Sequence, residues 1–166
     1  MVAPALTAWD VAAQTPDPEL PMVTVADLGI LRAVEHDGDR VVVTITPTYS
    51  GCPAMREIGA DVRHRLLQAG YAEVEVRTQL APPWTSDWIT ADGRRKLAGA
   101  GIAPPHRAPA RCGPTPLNLG LTRRTVHCPQ CGSANTRRSA DFGSTACKAL
   151  YRCADCSEPF EYVKEI

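Results

Sequence analysis

Two C-x-x-C pairs, Cys128-Pro-Gln-Cys131 and Cys153-Ala-Asp-Cys156, are the residues best spaced for chemistry, with 21 residues between the pairs. Each pair can hold two thiolates on one tight turn. Two such turns facing each other make a closed four-sulfur tetrahedron, the geometry of a structural Zn²⁺ site. Pro129 stiffens the first turn, and Gly132 frees the backbone just past its second ligand. Two disulfides are the alternative, weakened because C-x-x-C pairs in a non-secreted protein favour metal or redox chemistry. A mononuclear iron could occupy the same cage.

A fifth cysteine is placed differently. Ser50-Gly51-Cys52-Pro53 sets Cys52 at or next to the N-cap of a helix. Helix N-termini present unpaired N–H groups and the positive end of the dipole, which favour a thiolate. A thiolate binds soft metals, and Gly51 lets another molecule come close to the backbone. A buried capping cysteine is the competing reading. Asp17 and Glu19, between Pro16, Pro18 and Pro21, offer hard ligands or hydrogen-bond acceptors, or else simply cap a turn. His36, His64 and His127 read as surface residues, so no Cys-His-Asp nucleophilic set emerges. No Glu-x-x-His occurs, which argues against a di-iron oxygenase bundle. The expectation is therefore a protein with no catalytic constellation of its own.

These residues need elements to carry them. Residues 5–14 predict a short helix with Leu6, Trp9 and Ala13 on one face, and the proline-rich stretch after it predicts a rigid, extended segment. Leu28–Glu35 and Arg40–Thr46 predict an antiparallel hairpin closed at Asp37-Gly38. Met55, Ile58, Val62 and Leu66 form one stripe of a helix from about Pro53 to Ala69, stopped by Gly70. Val74–Arg77 predicts a third strand, and Asp92–Ala98 a last short helix. Of Trp84 and Trp88, one is expected in the core and the other at the surface. Five prolines between Gly101 and Thr122 mark a linker that contains Cys112. Beyond it, Cys147, Ala149 and Tyr151 lie on a strand entering the second cysteine turn, and Phe160, Tyr162 and Val163 on another. The predicted class is α+β: a small α/β domain (helix, β-hairpin, helix, strand) over 1–103, a linker over 104–122 and a β-rich zinc ribbon over 123–166.

A hydrophobic fraction of 44% supports a folded core, and formal net charge is zero. The charge is −2 before Cys112 and +2 after it. Neither half is the polycation that nucleic-acid binding favours, although Arg123-Arg124 and Arg137-Arg138 leave a zinc-ribbon binding module as the rival reading. No run of 18 apolar residues appears, and the N-terminus has no basic stretch ahead of an apolar one. A reducing cytoplasm is the expected compartment, with no membrane role.

Asp17-Pro-Glu19-Leu-Pro21, Val25-Ala-Asp27-Leu-Gly29-Ile30, Gly51-Cys52-Pro53 and Pro82-Pro-Trp84-Thr-Ser-Asp87 follow one another as in the SufT-like domains. Those are small α/β domains linked to iron–sulfur cluster assembly, and the resemblance covers residues 5 to about 100. Phe142–Cys153, Phe-Gly-Ser-Thr-Ala-Cys-Lys-Ala-Leu-Tyr-Arg-Cys, resembles the tail of the PaaD (PaaJ) family, which belongs to the phenylacetyl-CoA epoxidase (ring oxygenase) system. The resemblance implies an accessory role in aerobic phenylacetate catabolism. Its partners would be the other epoxidase components, above all the iron–sulfur flavin reductase, and the iron–sulfur assembly machinery. It implies Cys52, Asp17 and Glu19 as contacts for transient iron or a cluster. It implies Cys128, Cys131, Cys153 and Cys156 as ligands of a structural Zn²⁺, and Cys147 as an extra thiol, packed or exchangeable.

Overall fold

A computed structural model describes residues 6–106 and 125–165. The chain divides into two compact units with the boundary between Ala100 and Gly101. Most of the proline-rich stretch read as a linker, with Cys112 and Arg123-Arg124, lies outside the described residues.

The first unit opens with α1 (Ala8–Ala13), closed at its start by a capping box between Thr7 and Asp10. Its inward face is Ala8 and Ala12, while Leu6 and Trp9 are 60% and 43% exposed. The face expected from Leu6, Trp9 and Ala13 is thus corrected: small side chains let this short helix sit close, and the large ones point to solvent. β1 (Leu31–Asp37) and β2 (Arg40–Ile45) form the hairpin. Gly38, the first of its two loop residues, has φ 62°, as the first position of a primed turn requires. α2 (Ala54–Gln68) crosses over to β3 (Glu73–Thr78), which pairs parallel to β2. The sheet order is β1-β2-β3, and the central strand buries Val41, Val42, Val43 and Ile45. α2 turns Ala54, Ile58, Val62 and Leu66 inward, with Met55 half-buried beside them. It ends in a Schellman motif at Gly70 (φ 97°), where the N–H groups of Tyr71 and Gly70 donate to the carbonyls of Leu66 and Leu67. A single 3₁₀ turn (Ser86–Trp88) leads to α3 (Ala91–Gly99).

The second unit is a four-stranded sheet in the order β4-β7-β6-β5. Its strands are β4 (Ile102–Ala103), β5 (Thr136–Ala140), β6 (Lys148–Cys153) and β7 (Pro159–Val163). Two features differ from expectation. Ile102 and Ala103, drawn at the end of the first domain, pair with Glu161 and Tyr162 of β7. Cys147 sits in the turn before β6 rather than on the strand. The core is Ala103, Val126, Cys128, Cys153, Phe160 and Tyr162, with Tyr151 packed against it at 5.8 Å from the Phe160 ring.

Candidate metal centre and the cysteine loop

The two cysteine turns are built alike. In the first, the Cys128 N–H donates to the Ser133 carbonyl at 2.9 Å, and Gly132 takes φ 73°. In the second, the Cys153 N–H donates to the Glu158 carbonyl at 2.9 Å, and Ser157, in the place of Gly132, takes φ 64°. Asp155 ties the turns together. Its carboxylate accepts from the Ser133 hydroxyl and from Asn135 Nδ2, the latter at 2.8 Å, and the Ala154 N–H donates to the Asn135 carbonyl at 2.8 Å. Those two side chains hold the Asp155 carboxyl below its ordinary range. The sequence reading missed this clasp. Its signal is an aspartate inside one C-x-x-C and Ser and Asn just past the other.

The four Sγ atoms lie within 4.8 Å of one another. The closest pairs run between turns, not within them: Cys128 to Cys156 at 3.7 Å and Cys131 to Cys153 at 3.6 Å. A tetrahedron with Zn–S bonds of about 2.3 Å has edges of about 3.8 Å. The cage therefore fits a four-thiolate ion, whereas a disulfide would need sulfurs about 2 Å apart. Cys128 and Cys153 are buried and Cys131 and Cys156 exposed, so the cage is anchored in the core on one side and open on the other. Backbone N–H groups point at the sulfurs. The Cys156 N–H, helped by that of Asp155 and by Cys131 and Cys156, outweighs burial and lowers the Cys153 thiol to about 7. The Glu158 N–H lowers Cys156, but crowding by Cys131, burial and the other two sulfurs push it up to about 12. Four sulfurs packed this closely resist ionising together, and a dication removes that conflict.

His127 is exposed, with Nδ1 3.1 Å from the Gly132 carbonyl, so it braces the first turn from outside. Cys147 is half-buried, its Sγ 3.0 Å from Thr145 Oγ1. Cys52 is half-buried in the loop between β2 and α2. Its N–H donates to the Tyr49 carbonyl at 3.1 Å, and Pro53 holds the N-cap position with no side-chain cap. His36 and His64 are exposed. Glu19 is half-buried. Asp17 is 6% exposed, and its Oδ1 accepts from the N–H groups of Glu19 and Leu20 at 2.9 and 2.8 Å. The segment is thus a closed turn rather than an extended one, and the Asp17 carboxylate shapes it.

The remaining motif residues interlock. Trp84, buried, donates through Nε1 to the Leu28 carbonyl at 2.8 Å. Gly29 (φ 68°) lies so close to half-buried Trp88 that a Cβ there would stand 2.6 Å from that of Trp88. The Asp27 carboxylate meets Lys96 Nζ at 2.7 Å. Burial raises that carboxyl, but Lys96 and Thr24 outweigh it and hold it below the usual range.

Residues 113–164 match the family model of the PaaD zinc beta ribbon domain, and residues 9–77 that of the iron-sulfur cluster assembly protein. An Escherichia coli (strain K12) protein whose description makes it a component of 1,2-phenylacetyl-CoA epoxidase is 44% identical over 158 residues, 94% of this chain and 90% of that one. This chain belongs to the PaaD family. A Porphyromonas gingivalis Fe-S protein maturation auxiliary factor is 35% identical over 83 residues, 49% of the PaaD-family chain and 78% of the relative. A crystal structure of a domain of unknown function, DUF59, from Bacillus anthracis covers 54% of this chain and 87% of that domain, at 29% identity and a TM-score of 0.50. The first unit of this PaaD-family chain accordingly shares its α+β fold with DUF59 domains. No described helix is long and apolar enough to cross a membrane.

Proposed function

We propose that this chain is a non-catalytic accessory component of a phenylacetyl-CoA epoxidase system, acting in the cytoplasm to help assemble an iron–sulfur cluster and hand it to the reductase component. The observation that carries this reading is the joining, in one PaaD-family chain, of an iron-sulfur assembly domain to a ribbon with its own closed four-sulfur cage. The ribbon cage has every position filled by protein sulfur, which suits a resident Zn²⁺ and leaves no open site for chemistry. Cys52 is the opposite case. A single half-buried thiol in a loop contributes one soft ligand, enough to touch iron or a cluster and too little to keep it. Asp17 fixes the shape of its own turn, and Glu19 follows it as a second acceptor on the proposed transfer surface. Cys147, beside Thr145, is a packed thiol in this scheme.

The test is the iron and acid-labile sulfide content of the reductase and oxygenase components expressed with and without this chain. The expected result is a deficit without it that wild type restores. Cys52→Ser is expected to keep the fold and the ribbon metal yet restore less cluster and less epoxidase activity. Fully loaded, fully active components made in its absence would end the proposal. A colourless purified chain with bound zinc fits the resident-ion assignment, whereas a red ferric–thiolate spectrum would replace zinc by iron.

A further inference from the structure

Arg137 on β5 and Arg152 on β6 stand directly opposite each other in the ladder, and both are exposed. Directly opposed side chains share a face with Cβ atoms about 5 Å apart, and like charges there repel. Neither arginine has a carboxylate partner among the described residues. Arg152 Nε donates to the Ser157 carbonyl at 3.3 Å, and the ion pairs of this unit run instead from Arg138 to Asp141 and from Lys148 to Glu161. Strand alternation sends Tyr151, Cys153, Phe160 and Tyr162 to the core, so Arg137 and Arg152 occupy the outer face. Leu150, 37% exposed, shares that face, and exposed Pro159 lies opposite Arg152. Charged residues on an edge strand such as β5 guard against unwanted strand pairing. That explains Arg137 but not a second guanidinium facing it from the interior strand.

We propose that the outer face of the β5–β6 ladder docks an acidic segment of a partner protein, whose carboxylates bridge Arg137 and Arg152 while its apolar side chains cover Leu150. Guanidinium forks bind carboxylates bidentately, and anions between the two arginines relieve their repulsion. A protein fits better than a nucleic acid. Phosphate backbones reward long cationic stripes, whereas residues 125–165 carry equal numbers of basic and acidic side chains, and this patch is part apolar. The inference holds whether or not Cys52 passes on a cluster, because it concerns what the ribbon grips.

The experiment uses the full metal-loaded chain and a short fluorescein-labelled poly-glutamate peptide, with a poly-uridine oligomer as comparison. Arg137→Ala with Arg152→Ala should weaken peptide binding by roughly ten-fold or more, while Arg138→Ala, whose guanidinium is paired to Asp141, should change it little. Arg137→Glu supplies the second reading. It creates an opposite-charge pair across the ladder, so it should slow hydrogen exchange of the β5 and β6 amides while abolishing peptide binding. Equal binding by wild type and the double alanine variant overturns the proposal. So does tighter binding of the oligomer than of the peptide, or faster exchange in Arg137→Glu, which would make the arginines structural.

Discussion

The first unit buries Ile30, Ile45, Ile58, Leu66, Ile89 and Leu97 almost completely, whereas the ribbon core is six residues of which two, Cys128 and Cys153, are sulfur donors. Burial of branched aliphatic side chains is the ordinary source of folding free energy, about 1.5–3 kcal/mol for each one fully removed from water. The first unit has enough of them to fold without help. The ribbon does not, so there ion binding and folding are one event. This separates what a cysteine can be used for. In the ribbon, four thiols are committed to holding the fold. In the first unit Cys52 is not needed for stability, and a residue that holds nothing together can be given to a passing ligand.

The sharpest way to break that comparison is Cys128→Ser. Structural zinc in small domains contributes on the order of 10 kcal/mol or more. The variant should lose its metal and the protection of β5–β7, while α2 and β2 keep theirs. Metal analysis with residue-resolved hydrogen exchange reads both. Retained metal would refute the four-sulfur assignment, and loss of both units together would refute their independence.

Acidification should separate the units in the same order. Burial raises the Asp27 carboxyl, yet Lys96 and Thr24 hold it below its ordinary value. Its contribution is complete above the unfolded pKa of about 4 and is lost as pH falls through the lower folded value. Thiols ordinarily titrate far higher, near 8.5, and must be deprotonated to bind metal. On lowering pH the ribbon should therefore release its ion, detected with a chromogenic chelator, before the first unit unfolds by far-ultraviolet circular dichroism. Coincident transitions would contradict the split.

A smaller effect probes the first unit alone. Gly29→Ala puts a methyl 2.6 Å from Trp88 Cβ on a backbone with φ 68°. Overpacking and left-handed strain together should cost about 2–4 kcal/mol, seen in denaturant unfolding. The ribbon metal should remain bound. Loss of metal in this variant would show the ribbon leaning on the first unit.

The same contrast governs what could be read from the sequence. The Val41–Ile45 run, the glycines at 38 and 70 and the four ribbon ligands carry their geometry in residue type, and the elements form where those residues stand. α1 misleads because six helical residues are too few for periodicity to outvote size, and close approach selected Ala8 and Ala12. β5, Thr-Arg-Arg-Ser-Ala, has no apolar alternation, since a charged edge strand is held by its partner β6 rather than by burial. Asp17 was legible as a turn-former and as a ligand alike. Two backbone N–H groups on its carboxylate give it the structural role, which only coordinates can show.

The two cysteine turns give the finest test. Ser157 is the one non-glycine with positive φ among the described residues, at the place that Gly132 fills in the first turn. A left-handed conformation strains any side chain but costs glycine little. Ser157→Gly should therefore relieve strain, against the added freedom of the unfolded chain, for a net gain of about 0.5–1 kcal/mol. Because ribbon folding is metal binding, that gain should appear as metal affinity raised roughly two- to five-fold in chelator competition, with the denaturation midpoint of the first unit unmoved. Unchanged or weaker affinity would mean that the Ser157 side chain supports the second turn in a way glycine cannot, and that the two turns are alike in outline but not in what holds them.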